Sequence, residues 1–109
     1  MTAIAWVIFI AAAVLEVGGD AVIRKGLHGG VLGFILSGFV MLGSYGLVVN
    51  TVKWDFSRLL GVYVAVFAVV SVLAGRFLFK EAVSASTWLG LGIIVLGGAV
   101  IQSGAVVVK

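Results

Sequence analysis

Long apolar runs, broken by short polar connectors, set the organisation of this chain. The runs lie at approximately residues 4–23, 31–49, 57–79 and 86–108. Each is close to the ~20 residues with which a helix crosses about 30 Å of hydrocarbon, at about 1.5 Å per residue. None shows the period-two alternation over roughly 10 residues that is typical of barrel strands. Because a spanning backbone must satisfy its own hydrogen bonds, the pattern predicts one all-α, four-helix transmembrane domain over residues 1–109.

Composition strengthens the membrane prediction and excludes several other classes. Of the 109 residues, 63% are hydrophobic and 10% are charged, against about 45–50% and about 25% in soluble domains. We therefore expect a multi-pass protein of the cell inner (plasma) membrane, in contact with the lipid bilayer. There is no cysteine, and no cluster of metal ligands or nucleophile–base pair stands out, so we expect no cofactor, no metal and no enzyme. The basic residues are scattered singly, which argues against a nucleic-acid partner.

The basic residues also give little guidance on orientation. They divide almost evenly between the two predicted membrane faces, with Lys53, Arg58 and Lys109 on one and Arg24, Lys25, Arg76 and Lys80 on the other. The positive-inside rule has almost no bias to act on. Two alternatives stay open: a faint preference for one fixed topology, or insertion both ways, which would permit an antiparallel homodimer.

Glu16 is a carboxylate inside the first apolar run. A charge at the centre of a membrane helix costs about 2.5–3.5 kcal/mol on insertion scales, so such a residue faces a bundle interior or a wet cavity. A buried carboxyl group that binds either a proton or a cation is the simplest site that can exchange protons for cations. The alternative is a hydrogen bond across a helix interface that serves assembly alone.

Asp20 follows Glu16 by four residues, and Arg24 follows Asp20 by four. All three therefore lie on one stripe of the helix. Asp20 either joins Glu16 in the site as a coupled carboxylate or forms an interfacial ion pair with Arg24. On other helices, Ser44 can hydrogen-bond across an interface and Tyr63 can present its ring or hydroxyl to a cation, although each can equally be a packing residue.

Glycines on the fourth run predict a packing seam. Gly90 and Gly97 are seven residues apart and therefore share one helix face. Small residues allow membrane helices to approach closely. We therefore expect this face to pack against another helix, with glycines that merely face lipid as the alternative.

Residues 15–19 read LEVGG and are followed by Arg24 and Lys25, and residues 44–52 read SYGLVVNTV. These segments resemble the patterns A-E-V-x-G…K and S-F-W-L-L-x-Q-T-L of the small multidrug resistance family, within the drug/metabolite transporter superfamily. The resemblance covers nearly the whole chain. The resemblance implies that Glu16 is the essential glutamate, that Trp6 is a substrate-facing aromatic, that Ser44 lines the site, and that Gly90 and Gly97 form the dimer seam.

The chain also departs from that family. The third-helix pattern G-x-A-Y-A-x-W is matched only in part by GVYVAVF at residues 61–67. The position of the pattern to which Tyr63 corresponds therefore stays open. The tryptophan that marks guanidinium exporters, three residues after the glutamate, is Gly19 here, and Asp20 replaces a small residue. The resemblance therefore indicates a divergent member, and it implies the fold and the role of Glu16 better than it implies the substrate.

These observations lead to one principal hypothesis and one alternative. The resemblance implies a dual-topology antiparallel homodimer in which protons and cationic substrate compete for two copies of Glu16. We therefore expect a proton-coupled antiporter of small organic cations, whether quaternary ammonium, guanidinium or polyamine-like. The alternative is a non-exporting membrane subunit, or a component of a flippase for lipid-linked substrates, from the same superfamily.

Overall fold

The computed structural model describes residues 2–104, and every regular element in that range is helical. The elements are α1 (Thr2–Gly29), α2 (Leu32–Val49), α3 (Phe56–Leu73), a π-helical turn (Ala74–Leu78) that continues α3, and α4 (Ala85–Ser103). Four helices are long and apolar enough to cross a membrane, the third of them counted from Phe56 to Leu78. The prediction of an all-α chain with four helices long and apolar enough to span a membrane is confirmed for the described residues.

The first helix is longer than the apolar run that predicts it. It has 28 residues and continues to Gly29 through a basic stretch expected to be a connector. No helix-breaking proline interrupts this stretch, and Gly30, at φ 68°, ends it in the left-handed conformation that glycine adopts readily. The Val31 amide then donates to the Gly26 carbonyl at 2.9 Å, so the connector between α1 and α2 is only two residues long.

The end of the fourth helix lies partly outside the described residues. Residues 86–108 were expected to be helical, and α4 covers Ala85–Ser103. The helix starts at a capped end, because the Ser84 side chain accepts a hydrogen bond from the Thr87 amide, as N-capping serines do. Residues 105–108 of the predicted helix fall beyond the part of the chain that the structure describes.

The contacts divide the chain into two units, Met1–Val52 and Lys53–Lys109. In the first unit α1 packs on α2, and in the second α3 packs on α4. A single four-helix domain, and a bundle in a membrane, stay predictions.

Glycines allow α1 and α2 to approach closely. A Cβ added at Gly19 would lie 3.0 Å from the Leu42 side chain and 3.2 Å from the Gly38 carbonyl oxygen. A Cβ at Gly38 would lie 2.8 Å from the Gly19 carbonyl oxygen and would overlap the Ile23 side chain. Such backbone proximity is the usual role of small residues between membrane helices, and it fixes which faces of α1 and α2 meet.

The second unit is joined by small residues and by one polar contact. A Cβ at Gly98 would lie 2.6 Å from the Ala65 Cβ, so α3 and α4 are close at that level. Near the start of α3, Arg58 donates to the Gln102 side-chain oxygen at 3.0 Å. Its guanidinium also lies 3.7 Å from the centre of the Trp54 ring, in the geometry of a cation–π contact. Arg58, expected to serve as an interfacial charge, therefore also ties the two helices together.

Candidate functional site

Glu16 lies half-way along α1. At about 1.5 Å per residue, it is roughly 20 Å from either end of the helix, which spans Thr2–Gly29. Its side chain is partly buried. Gly19, one turn further on, is buried against α2. Glu16 therefore borders the α1–α2 interface at mid-span. Burying a carboxylate there costs free energy unless a polar group lies beside it.

Such a polar group lies on α2. The Glu16 carboxylate acts electrostatically on the hydroxyl of Tyr45, whose side chain is partly buried. Tyr45 is seven residues after Gly38 and therefore lies on the same face of α2 that packs against α1. The structure thus places a carboxylate of α1 and a phenol of α2 within electrostatic range of each other.

Tyr45 is the residue that sequence reasoning missed as a site member. The sequence favours its neighbour Ser44, through its hydroxyl and through the family resemblance, and gives Tyr45 no site role. Ser44 is partly buried, and its hydroxyl donates to the Val40 carbonyl at 2.8 Å within its own helix. Gly38 and Tyr45 share a helix face and Ser44 is about 100° away from Tyr45, but only the structure shows that Gly38 is the glycine of α2 that packs against α1. A site role for Ser44 stays a prediction.

Asp20 and its possible partner Arg24 are both exposed on α1. Asp20 is about 6 Å further along the helix axis than Glu16, on the same stripe. Glu16 is partly buried and Asp20 is exposed, so the two carboxylates differ in environment. The two interpretations of Asp20, a second site carboxylate or an ion-pair partner, remain predictions.

The two aromatic candidates belong to different helices, Trp6 to α1 together with Glu16, and Tyr63 to α3. Trp6 is ten residues before Glu16, or about 15 Å along the axis of α1, and its ring meets Phe9 edge-on with 5.8 Å between ring centres. Tyr63 belongs to α3 in the second unit, is 3% exposed, and has its ring centre 6.4 Å from that of Phe67. A common site for Trp6, Tyr63 and Glu16 stays a prediction.

The packing at Gly19 explains one departure from the resembling family. A Cβ at this position would already be 3.0 Å from the Leu42 side chain and 3.2 Å from the Gly38 carbonyl. An indole would need α1 and α2 to separate. The tryptophan of guanidinium exporters is therefore incompatible with the way these two helices pack.

The chemistry available at the interface is that of proton and cation binding. A carboxyl group at mid-span holds a proton when neutral and attracts a cation when ionised, and a phenol donates or accepts a hydrogen bond beside it. Among residues 2–104, no group of three or more His, Cys, Asp or Glu side chains is placed to hold a metal ion.

Comparison of the chain with models of protein families, with curated proteins and with solved structures finds no match. The fold itself defines the class as an all-helical chain with four helices able to cross a membrane. Function must therefore be inferred from Glu16 and its surroundings.

Proposed function

We propose that this protein is a proton-coupled antiporter that exports small organic cations across the cell inner (plasma) membrane by alternating access. The observation that carries the proposal is the position of Glu16, partly buried at the middle of α1 and within electrostatic range of Tyr45 on α2. An ionisable residue at that depth marks a substrate or proton pathway more often than a structural contact.

The exchange follows from competition for one carboxyl group. When the site faces the side of higher proton concentration, Glu16 takes a proton and releases the cation. When it faces the other side, an incoming cation displaces the proton, because the ionised carboxylate attracts the cation. The Tyr45 hydroxyl hydrogen-bonds to the carboxylate or to the bound cation, which stabilises the charged pair in a medium of low dielectric constant. Glu16 holds one ligand at a time, and an ionised carboxylate without a cation is costly in the membrane. Because the empty site therefore does not change sides, each ligand crosses in exchange for the other.

The proposal includes an antiparallel homodimer with two Glu16 side chains in one site. Two observations support it. The basic residues are nearly balanced between the two predicted membrane faces, and α4 leaves a broad apolar face uncovered, on which Gly90 and Gly97 have no atom within 4 Å of an added Cβ. A glycine face with open space on a membrane helix is suited to close packing against a second copy.

The first test is coupled flux in proteoliposomes with an internal pH indicator. We expect an outward gradient of tetraethylammonium, guanidinium or spermidine to drive proton movement in the opposite direction, with at least one of the three active. Glu16→Gln removes the titrating group and keeps its size, so coupled flux should fall to the level of empty vesicles.

The matched control is Asp55→Asn, which neutralises an exposed carboxylate just before α3 and should leave the flux unchanged. Coupled flux that persists in Glu16→Gln would contradict the proposal. A wild-type homodimer that binds none of the three cations and moves no protons would instead favour the membrane-subunit or flippase alternative.

A further inference from the structure

A polar pocket lies in the second unit, where α3 ends and α4 begins. Its volume is about 220 Å³, and it opens to the outside of the unit. The residues that line it are Ser71, Val72, Glu81, Ala82, Val83 and Thr87. It combines one carboxylate with two hydroxyl groups, none of which has a role in the exchange at Glu16.

The backbone holds the Glu81 carboxylate in place. After the π-helical turn, the Phe79 amide donates to the Ala74 carbonyl at 3.1 Å, and the Glu81 amide donates to the Gly75 carbonyl at 2.9 Å. Lys80 between them has φ 56°, a left-handed conformation that turns the chain back on the helix end. A Cβ at Gly75 would lie 2.6 Å from the Glu81 carboxylate oxygen. The Glu81 carboxylate therefore lies against the end of the helix, in the space that a side chain at position 75 would occupy.

The charge at this position is unusual for a helix end. The carboxyl end of a helix carries partial negative charge and normally attracts basic residues, yet here a carboxylate lies against it. Arg76 is nearby in sequence, but its guanidinium lies over the Phe77 ring, 5.3 Å from the ring centre. Glu81 is the one charged residue among those that line the pocket. Such a site favours a cationic occupant.

The two hydroxyl oxygens add hydrogen-bond acceptors to the pocket. Ser71 donates its hydrogen to the Ala68 carbonyl at 3.0 Å, so the Ser71 oxygen remains available only as an acceptor. Thr87 brings a second hydroxyl, which is 2.9 Å from the Ser84 hydroxyl oxygen. One carboxylate and two hydroxyl oxygens give three acceptor positions, which match the three N–H donors of a primary ammonium group. A bare Ca²⁺ ion would need 6–8 oxygen ligands.

We propose that the pocket between α3 and α4, formed by Glu81, Ser71 and Thr87, binds a primary ammonium group. The group belongs either to a soluble amine or to the headgroup of an aminophospholipid, since the pocket lies at the end of two membrane-spanning helices. The proposal does not depend on transport at Glu16.

The test uses the full-length protein in nanodiscs of phosphatidylcholine, with the Ser71 and Thr87 amide signals followed by NMR. Methylammonium should produce saturable shifts of both signals. Tetramethylammonium, which has the same charge and no N–H donor, should not. Equal saturable shifts from both ions would overturn the proposal, because they would show charge attraction without hydrogen-bond recognition.

Two variants test the geometry. Glu81→Gln should weaken methylammonium binding at least about tenfold, the equivalent of about 1.4 kcal/mol. Gly75→Ala keeps every charge but displaces the Glu81 carboxylate, and it should weaken binding as well. Asp55→Asn, the charge-matched control at the other end of α3, should bind as wild type does. Wild-type affinity in both Glu81→Gln and Gly75→Ala would contradict the site.

A second nanodisc composition identifies the source of the ammonium group. If the natural occupant is a lipid, phosphatidylethanolamine in the nanodisc should compete with methylammonium and raise its apparent dissociation constant. If the occupant is a soluble amine, the constant should be the same in both lipids. Either result supports an ammonium site, provided that the difference between methylammonium and tetramethylammonium holds.

Discussion

At the scale of single residues, the candidate site is a carboxylate and a phenol on two packed helices. Glu16 was predicted from its depth in an apolar run, because a charge there has few structural uses. Tyr45 could not be ranked above Ser44 from composition alone, since both are polar and adjacent in sequence. Their roles separate once the face of α2 that contacts α1 is known, and that face is set by Gly19 and Gly38.

Replacing Tyr45 with phenylalanine tests the phenol. Tyr45→Phe keeps the ring and removes the hydroxyl on which Glu16 acts. Hydrogen bonds to charged groups contribute roughly 1.5–3 kcal/mol, and Tyr45 is only partly buried. We therefore expect the lower part of that range, seen as about tenfold weaker cation binding in isothermal titration calorimetry.

Ser37→Ala is the control for that experiment, because it likewise removes one hydroxyl from α2. The Ser37 hydroxyl is exposed and donates to the Gly33 carbonyl of its own helix. Its cation affinity should equal that of the wild type. An unchanged affinity in Tyr45→Phe would remove the phenol from the site and leave Glu16 without the partner assigned to it.

At the scale of helices, hydropathy predicts where the chain crosses a membrane better than where each helix ends. The four apolar runs correspond to the four long helices. Helix α1 nevertheless continues to Gly29, because a basic sequence outside the hydrocarbon remains compatible with a helix until a glycine ends it. The turn after α3 was not predictable either, since it depends on the π-helical segment and on a left-handed Lys80.

The packing of α1 on α2 makes a prediction about Gly38. A methyl group there would lie 2.8 Å from the Gly19 carbonyl oxygen and would overlap Ile23, so the two backbones would have to separate. Overpacking of this kind costs typically about 1–3 kcal/mol. Gly38→Ala should lower the free energy of unfolding by that amount, measured by SDS titration from mild detergent micelles.

Gly33 on the same helix provides the comparison. A Cβ at Gly33 meets no atom within 4 Å, and alanine favours a helix over glycine by up to about 1 kcal/mol. Gly33→Ala should therefore be neutral or slightly stabilising. Equal destabilisation by Gly38→Ala and Gly33→Ala would mean that the α1–α2 contact does not control stability.

At the scale of the whole molecule, each unit is a pair of packed helices with much apolar surface uncovered. In the second unit, α4 buries Gly98 and leaves large side chains exposed, including Leu89, Ile93, Leu96 and Val100. Lipid can cover such a surface, so exposure alone does not decide the oligomeric state. The sequence predicts the dimer through the Gly90–Gly97 spacing and the balanced charges, and both features are compatible with the open face of α4.

A pair of glycine variants tests the proposed dimer. Gly97→Ile should weaken association about tenfold or more, measured by energy transfer between labelled copies at increasing lipid-to-protein ratio. Gly92→Ile is matched to it, because Gly92 also has open space around it but lies about 140° from Gly97 around the helix. Equal effects of the two substitutions, or no effect of Gly97→Ile, would contradict a dimer seam on that face.

The competition of protons and cations for Glu16 is tested most directly by proton release. Tetraethylammonium, guanidinium or spermidine is added to purified protein in a weakly buffered detergent solution near neutral pH. The change in pH is then recorded. The wild type and Asp55→Asn should release protons when they bind a cation, and Glu16→Gln should release none. Cation binding without proton release by the wild type, or undiminished release by Glu16→Gln, would contradict exchange at Glu16.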